Sequence, residues 1–259
     1  MDILVSKEGG ILTLEFNRPE RKNAITSAMY QLLADTINAA ETDNEVRAIL
    51  IAGKPEIFTA GNDLDDFMKT ARPTSAEEFG NRPVFQFMRA LSGTTKPVVA
   101  AIGGMAIGIG TTLLMHCDLV YAGDSAKFSV PFTQLGLCPE FGSSMLMPLA
   151  AGHARAAEKL MLGEPFTAQE AYDMGIVSKV VPAAEVLEFA RAQAAKLVAL
   201  PAASIRTTKR LMTQGRKEEL NAIIATESRL FGEMLQGPEA KEAFMAFFEK
   251  RKPDFTKFA

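Results

Sequence analysis

Apolar and polar positions alternate along Ile11-Leu12-Thr13-Leu14-Glu15-Phe16, the signature of a strand. A polar turn follows at Asn17-Arg18-Pro19-Glu20-Arg21-Lys22-Asn23. Thr26 or Ser27 can then cap a helix through about Glu41, with Met29, Leu32, Leu33, Thr36 and Ile37 on one face. Ala48-Ile49-Leu50-Ile51-Ala52 is a continuous apolar run, expected of a strand covered on both faces. A loop is expected from Gly53 to Asp63, and a helix from Ser75, with Glu78 in the capping-box position, to about Leu91. Strands at Val98–Ile102 and Leu119–Ala122 flank a small-residue helix that begins near Gly108. Helices are predicted over 153–162, 167–173 and 183–199, with a short strand at Val177–Val181. The remainder after Pro201 reads as helical, broken near Gly215 and Gly237-Pro238. Strands alternating with helices, followed by helices alone, define an α/β fold with a helical C-terminal extension. No fixed-period sequence repeat interrupts this pattern.

The chain has 259 residues, 47% of them hydrophobic and 23% charged, the balance of an ordinary globular protein. Its formal net charge of -3 gives no electrostatic pull toward nucleic acid and no basic membrane-binding signature. The uncharged stretch Pro97–Cys117 is long enough to span a bilayer, but Pro97 and four glycines divide it. A buried strand, a loop and a buried helix are expected there instead. Cys117 and Cys138 form no disulfide framework and have no metal-ligand spacing, so a reducing, cytoplasmic setting is the simplest expectation. No secretory leader or peroxisomal address is evident at the termini.

Familiar catalytic motifs are absent. The Gly104–Gly110 loop has Leu113 where a dinucleotide fingerprint needs its third glycine, and no Gly-Lys-Ser/Thr follows it. No Gly-x-Ser-x-Gly elbow is present. His116 and His153 share no metal spacing, and His116 on an apolar helix reads as a satisfied core or interface imidazole. Two loops of small residues do stand at the ends of apolar strands: Phe58-Thr59-Ala60-Gly61-Asn62-Asp63-Leu64 and Gly103–Gly110. Their N–H groups could form an oxyanion hole, or the loops could be tight turns required by packing. Glu140 is the sole charged side chain between Lys127 and Arg155. It is either a carboxylate with a raised pKa suited to proton transfer, or a loop residue that reaches solvent past Pro139.

In combination, Asn17-Arg18-Pro19, Asn23-Ala24, Phe58–Leu64, Gly104–Gly110, Cys117-Asp118, Phe166-Thr167-Ala168, Gly175-Ile176-Val177 and Phe248–Arg251 resemble the crotonase (enoyl-CoA hydratase/isomerase) superfamily over essentially the whole chain. The resemblance implies a spiral of ββα units with a CoA site over residues 1–200, and a helical trimerisation region over 201–259. It implies an acyl-CoA thioester substrate, with coenzyme A as part of the substrate and no separate cofactor or metal. It further implies a homotrimer or hexamer, without nucleic-acid or membrane partners.

By position, the family's two oxyanion-hole N–H groups fall at Asn62 and Ile109. The two glutamates with which a hydratase activates water would fall at Thr112 and Phe132, neither of them acidic. Gly136–Ser144, with its glutamate directly after Pro139, instead resembles the Δ3,Δ2-enoyl-CoA isomerases, which points to Glu140 as a single catalytic base. The resemblance places Arg21, Lys22, Ala60, Gly61, Asn62, Leu64, Phe247 and Lys250 along the CoA path, the last two often reaching it across a subunit boundary. Asp63 would order its loop or touch ligand, whereas Asp65 and Asp66 are expected to be solvated. The activity expected is conversion of a 3-enoyl-CoA to the 2-trans isomer. Hydration of 2-enoyl-CoA and non-catalytic acyl-CoA binding are the alternatives.

Overall fold

A computed structural model describes residues 1–69 and 80–258, without the side chains of 67–69. Among these residues run ten strands: β1 (Ile3–Glu8), β2 (Ile11–Phe16), β3 (Ala48–Ala52), β4 (Ile57–Thr59), β5 (Val98–Ile102), β6 (Met105–Ile107), β7 (Leu119–Gly123), β8 (Lys127–Ser129), β9 (Phe166–Thr167) and β10 (Lys179–Val181). A six-stranded sheet has the order β1-β2-β3-β5-β7-β10, and a four-stranded sheet the order β4-β6-β8-β9. Pairing is parallel except between β1 and β2 and between β8 and β9. The pairs β3/β4, β5/β6 and β7/β8 each place their first strand in the large sheet and their second in the small one. This repeated step is the spiral of ββα units.

The two continuous apolar runs occupy the centre of the large sheet and are buried at every position. Successive side chains leave a strand on opposite faces. Ile49, Ile51, Val98, Ala100 and Ile102 therefore join the larger core, with Met29, Leu33 and Ile37 from the helix Ser27–Thr42 and Phe87 and Leu91 from the helix Pro83–Gly93. Leu50, Val99 and Ala101 join a second core, against Val186, Ala190 and Ala194 of the helix Val186–Ala199.

Several local expectations change. Thr26 caps the first helix through its side chain and the Met29 N–H, but the buried face includes Tyr30 and Ala34, while Leu32 is exposed. The strand β1 escapes the sequence pattern because only Ile3 is buried along it. The strands β4, β6 and β8 are three residues each, too short to show a period. The helix Ser143–Ala151 is hidden by Pro148 inside it and by a glycine N-cap that has no side chain. The predicted helix start at Ser75 and Glu78 lies outside the described residues. Pro97–Cys117 divides into strand, turn, strand and a short helical segment. No helix among the described residues is long and apolar enough to cross a membrane.

After residue 200 the helices Ala202–Thr213, Lys217–Met234 and Pro238–Phe248 follow, with the breaks near Gly215 and Gly237 where they were expected. They close over the segment that carries Glu140. The Phe231 ring meets Phe132 edge-on at 6.3 Å. Lys209 Nζ donates to Asp118 Oδ2 at 2.7 Å and to the Lys96 carbonyl at 2.9 Å. Phe244 is buried, whereas Leu211, Met212, Phe247 and Phe248 remain exposed.

Candidate active site

The first glycine loop leaves β4 and pairs beside Ile25, whose N–H donates to the Gly61 carbonyl at 2.8 Å. The Asp63 N–H donates in turn to the Ile25 carbonyl at 3.0 Å. The Asn62 N–H between them has no protein acceptor among the described residues. The second loop leaves β6; the Gly108 N–H donates to the Ser129 carbonyl, and Ile109 opens a helical turn. An N–H at a helix's first position has no intrahelical acceptor. The two loops touch where Gly61 sits at φ +85°, a region open to glycine. A Cβ at Gly61 would stand 2.7 Å from the Ile107 carbonyl oxygen. This close approach brings the segments that carry the Asn62 and Ile109 N–H groups against one another.

Side chains hold the first loop in place. The Tyr30 hydroxyl donates to Asn62 Oδ1 at 2.5 Å. Burial, then the nearby charges of Glu140 and Asp66, push the Tyr30 phenol well above its ordinary range, so it stays a donor. Asp63 accepts from Arg18 Nη1 at 2.6 Å and from the Asp66 N–H at 3.0 Å. Burial alone would raise the Asp63 carboxyl, but these donors and the Arg18 and Arg21 charges outweigh it and hold the pKa below its usual value. Asp63 therefore orders the loop. Asp65 and Asp66 are engaged rather than simply solvated: Asp65 accepts from Arg21, and Asp66 accepts from both the Ser27 N–H and its hydroxyl.

Glu140 is buried, at 6% exposure, which removes the reading of a solvent-reaching loop residue. Its Oε1 accepts a short hydrogen bond from the Thr112 hydroxyl. Burial drives its pKa up to about 8; the Thr112 hydrogen bond works against the rise and the Glu227 charge adds to it. Directly after Glu140 the chain turns through two left-handed residues, Phe141 at φ +57° and Gly142 at φ +75°. A non-glycine residue there costs about 1 kcal/mol, so the turn must be held from outside. The His116 Nε2–H donates to the Phe141 carbonyl at 2.8 Å, and its ring stacks on the Phe141 ring at 3.8 Å. Burial lowers the His116 pKa to about 4, consistent with the satisfied core imidazole read from sequence. The Ser143 hydroxyl donates to the Glu140 carbonyl at 2.6 Å.

Glu140 and Asn62 line one cleft of about 1940 Å³, together with Val84, Phe85 and Met88 of the helix Pro83–Gly93 and Ile224 from the C-terminal region. The other site residues expected from sequence distribute unevenly. Ala60 is half-buried, its N–H donating to the Lys22 carbonyl at 3.0 Å, and Leu64 opens the short helix beside it. Arg21 and Lys22 are exposed on the turn next to this loop. Phe247 and Lys250 are exposed at the end of the last long helix, outside the lining of the cleft within this chain. Sequence reasoning missed Tyr30, the hydrogen-bonding role of Thr112, and Glu227. Tyr30 and Glu227 lie far from the loops they serve, and their helices show only an ordinary amphipathic pattern.

Comparison with known proteins identifies the family. Residues 6–257 match the family model described as enoyl-CoA hydratase/isomerase, and the chain belongs to that family. Among individual relatives, it is 32% identical to the 2,3-dehydroadipyl-CoA hydratase of Escherichia coli, over 98% of both chains. It is 37% identical to enoyl-CoA delta isomerase 2 of Rattus norvegicus, over 97% of this chain but 64% of the relative. A solved enoyl-CoA hydratase/isomerase from Pseudoalteromonas atlantica T6c superposes with a TM-score of 0.93 at 39% identity, covering 99% of this chain and 100% of that one.

Proposed function

We propose that this protein is an acyl-CoA isomerase that moves the double bond of a 3-enoyl-CoA into conjugation with its thioester. The observation that carries the reading is the buried carboxylate of Glu140, bonded to Thr112, with Thr112 and Phe132 where a hydratase would have its glutamate pair. Hydration needs groups that position and activate water. A 1,3-proton shift needs one base that can take a proton and return it.

In this reading the thioester oxygen sits between the Asn62 and Ile109 N–H groups. Glu140 removes a C2 proton, and the electron pair of that C–H bond delocalises over the diene and onto the thioester oxygen. The resulting dienolate is held by the two N–H groups, each worth about 10²–10³ in rate. The protonated Glu140 then delivers its proton to C4, and the 2-trans double bond is left in place. A carboxyl raised to about 8 is a stronger base than an ordinary glutamate and matches the task near neutral pH. The Thr112 hydroxyl steadies one oxygen and leaves the other for the substrate.

Arg21, Lys22, the backbone of Ala60, Gly61 and Leu64, and Phe247 and Lys250 are assigned to the CoA moiety. Residues 1–200 would form the CoA-binding core. Residues 201–259 would supply trimer or hexamer contacts, in keeping with the exposed Leu211, Met212 and Phe247.

Hydration of 2-enoyl-CoA is the second reading, favoured by the hydratase names among the relatives. A panel of 3-enoyl and 2-enoyl thioesters of graded length separates the two, followed by the conjugated-thioester absorbance. The isomerase reading expects turnover of 3-enoyl substrates with little hydration. It also expects Glu140→Gln to lower kcat by about 10²–10⁴ with CoA affinity retained. Full isomerase turnover in that variant, or hydration far faster than isomerisation in the parent, defeats it.

A further inference from the structure

Glu227 is a second buried carboxylate, at 5% exposure, on the C-terminal helix Lys217–Met234. It reaches the first turn of the helix Ser143–Ala151, which has no capping side chain of its own. Its Oε2 accepts from the Gly142 N–H at 2.6 Å. Its Oε1 accepts from the Ser144 N–H at 2.9 Å and from the Ser144 hydroxyl at 2.5 Å. All three contacts are donors to it, the arrangement that suits a carboxylate at a helix N-terminus. The same helix packs on this turn. A Cβ at Gly142 would stand 2.5 Å from Leu220 Cδ1 and 3.4 Å from Ile224 Cγ1. Thus the strained turn after Glu140 is gripped on one side by His116 and on the other by a helix some 85 residues downstream.

Given the proposed role of Glu140, we infer that Glu227 is a positioning residue for the catalytic turn, acting on Glu140 through the backbone it holds and through its charge, so that seating of the C-terminal helix determines the competence of the site. A like charge beside a buried carboxyl disfavours its ionisation. The other groups facing this region carry little of that effect. Thr112 contributes a hydroxyl, Tyr30 a phenol held neutral by burial, His116 an imidazole held neutral by burial, and Cys138 a thiol that is itself pushed up. Arg82, Arg89, Arg206, Lys209 and Arg210 also line the cleft, and a cation there would lower the Glu140 carboxyl rather than raise it. Among the described residues, Glu227 is the one neighbouring charge that acts on Glu140 in the direction of its shift.

The test reads the Glu140 carboxyl directly, by carbon NMR of protein labelled at the glutamate carboxyl and assigned with Glu140→Gln, in the parent and in Glu227→Gln. The Glu140 midpoint should fall by about half a unit or more when one nearby negative charge is removed. The acidic limb of kcat/KM should fall with it, and kcat above pH 8 should drop. Ser144→Ala removes one donor of the grip and leaves the charge. It should lower kcat several-fold with KM and the Glu140 midpoint unchanged. An unchanged midpoint in Glu227→Gln overturns the inference even if Glu140→Gln is inactive. Should Glu227→Gln fail to fold, an unchanged kcat in Ser144→Ala overturns it instead. Because the NMR reading needs no turnover, failure of the isomerase reading is seen separately, as full activity in Glu140→Gln.

Discussion

Glu140 stores an energetic conflict that can be measured apart from any activity. Its carboxyl rises from an ordinary 4.5 to about 8 in the fold. Between those values the folded protein retains a proton that the unfolded chain has released. The stability that this difference contributes is complete below about pH 4.5 and is lost as pH rises through about 8. Glu140→Gln keeps a neutral group in place, so its melting temperature should exceed that of the parent at pH 9, with the gap closing toward pH 5. A constant gap across that range would show that Glu140 is not held protonated. The residue was visible in the sequence because it stands alone among apolar neighbours. Its partner Thr112 was visible only as an absent glutamate, since a hydroxyl twenty-eight positions away gives no pairing signal.

At the scale of elements, the site depends on two loops pressed together. Gly61 combines a left-handed φ with a contact that leaves no room for a methyl group. Gly61→Ala should therefore strain the backbone and separate the Asn62 and Ile109 segments. On the proposed reading the expected result is a loss of kcat/KM of at least about tenfold, with a melting temperature lowered by several degrees, since misplaced oxyanion donors cost on this scale. Unaltered kinetics would show that the close approach at Gly61 does not hold the site together. Long elements were legible in advance. The central strands announced themselves as uninterrupted apolar runs, and the helix His153–Leu162 fell where its periodicity put it. Short strands were not, because three residues cannot display a period and their pairing is set by the sheet they join. Leu32 and Tyr30 changed places between surface and core for a related reason: a helix pattern defines a stripe, and the packing partners choose its centre.

For the whole molecule, the question is how the C-terminal helices are fastened to the large sheet. Lys209 is one bolt. It bridges the helix Ala202–Thr213 to Asp118 and to the Lys96 carbonyl, and Asp118 also accepts from the Val98 N–H at the start of β5. Lys209→Ala leaves a largely buried carboxylate short of its cation and should cost roughly 2 kcal/mol. Hydrogen exchange should rise over residues 202–234 while β3 and β5 stay protected. Uniform protection loss, or none, would place the fastening elsewhere. None of these long-range ties could be read from sequence, where Lys209 and Glu227 look like ordinary polar positions on surface helices.

The two N–H groups at Asn62 and Ile109 belong to the main chain. On the proposed reading, any residue but proline at those positions would still present the donor. The half of the site that receives negative charge is thereby insulated from side-chain drift, its demands falling on neighbours such as Gly61 that keep the backbone in place. The half proposed to move protons rests on one side chain, Glu140, steadied by the Thr112 hydroxyl, and has no such protection. A lineage can exchange the second half repeatedly while inheriting the first intact. Reaction type in such a scaffold is then a matter of very few substitutions, whereas thioester recognition is as durable as the fold.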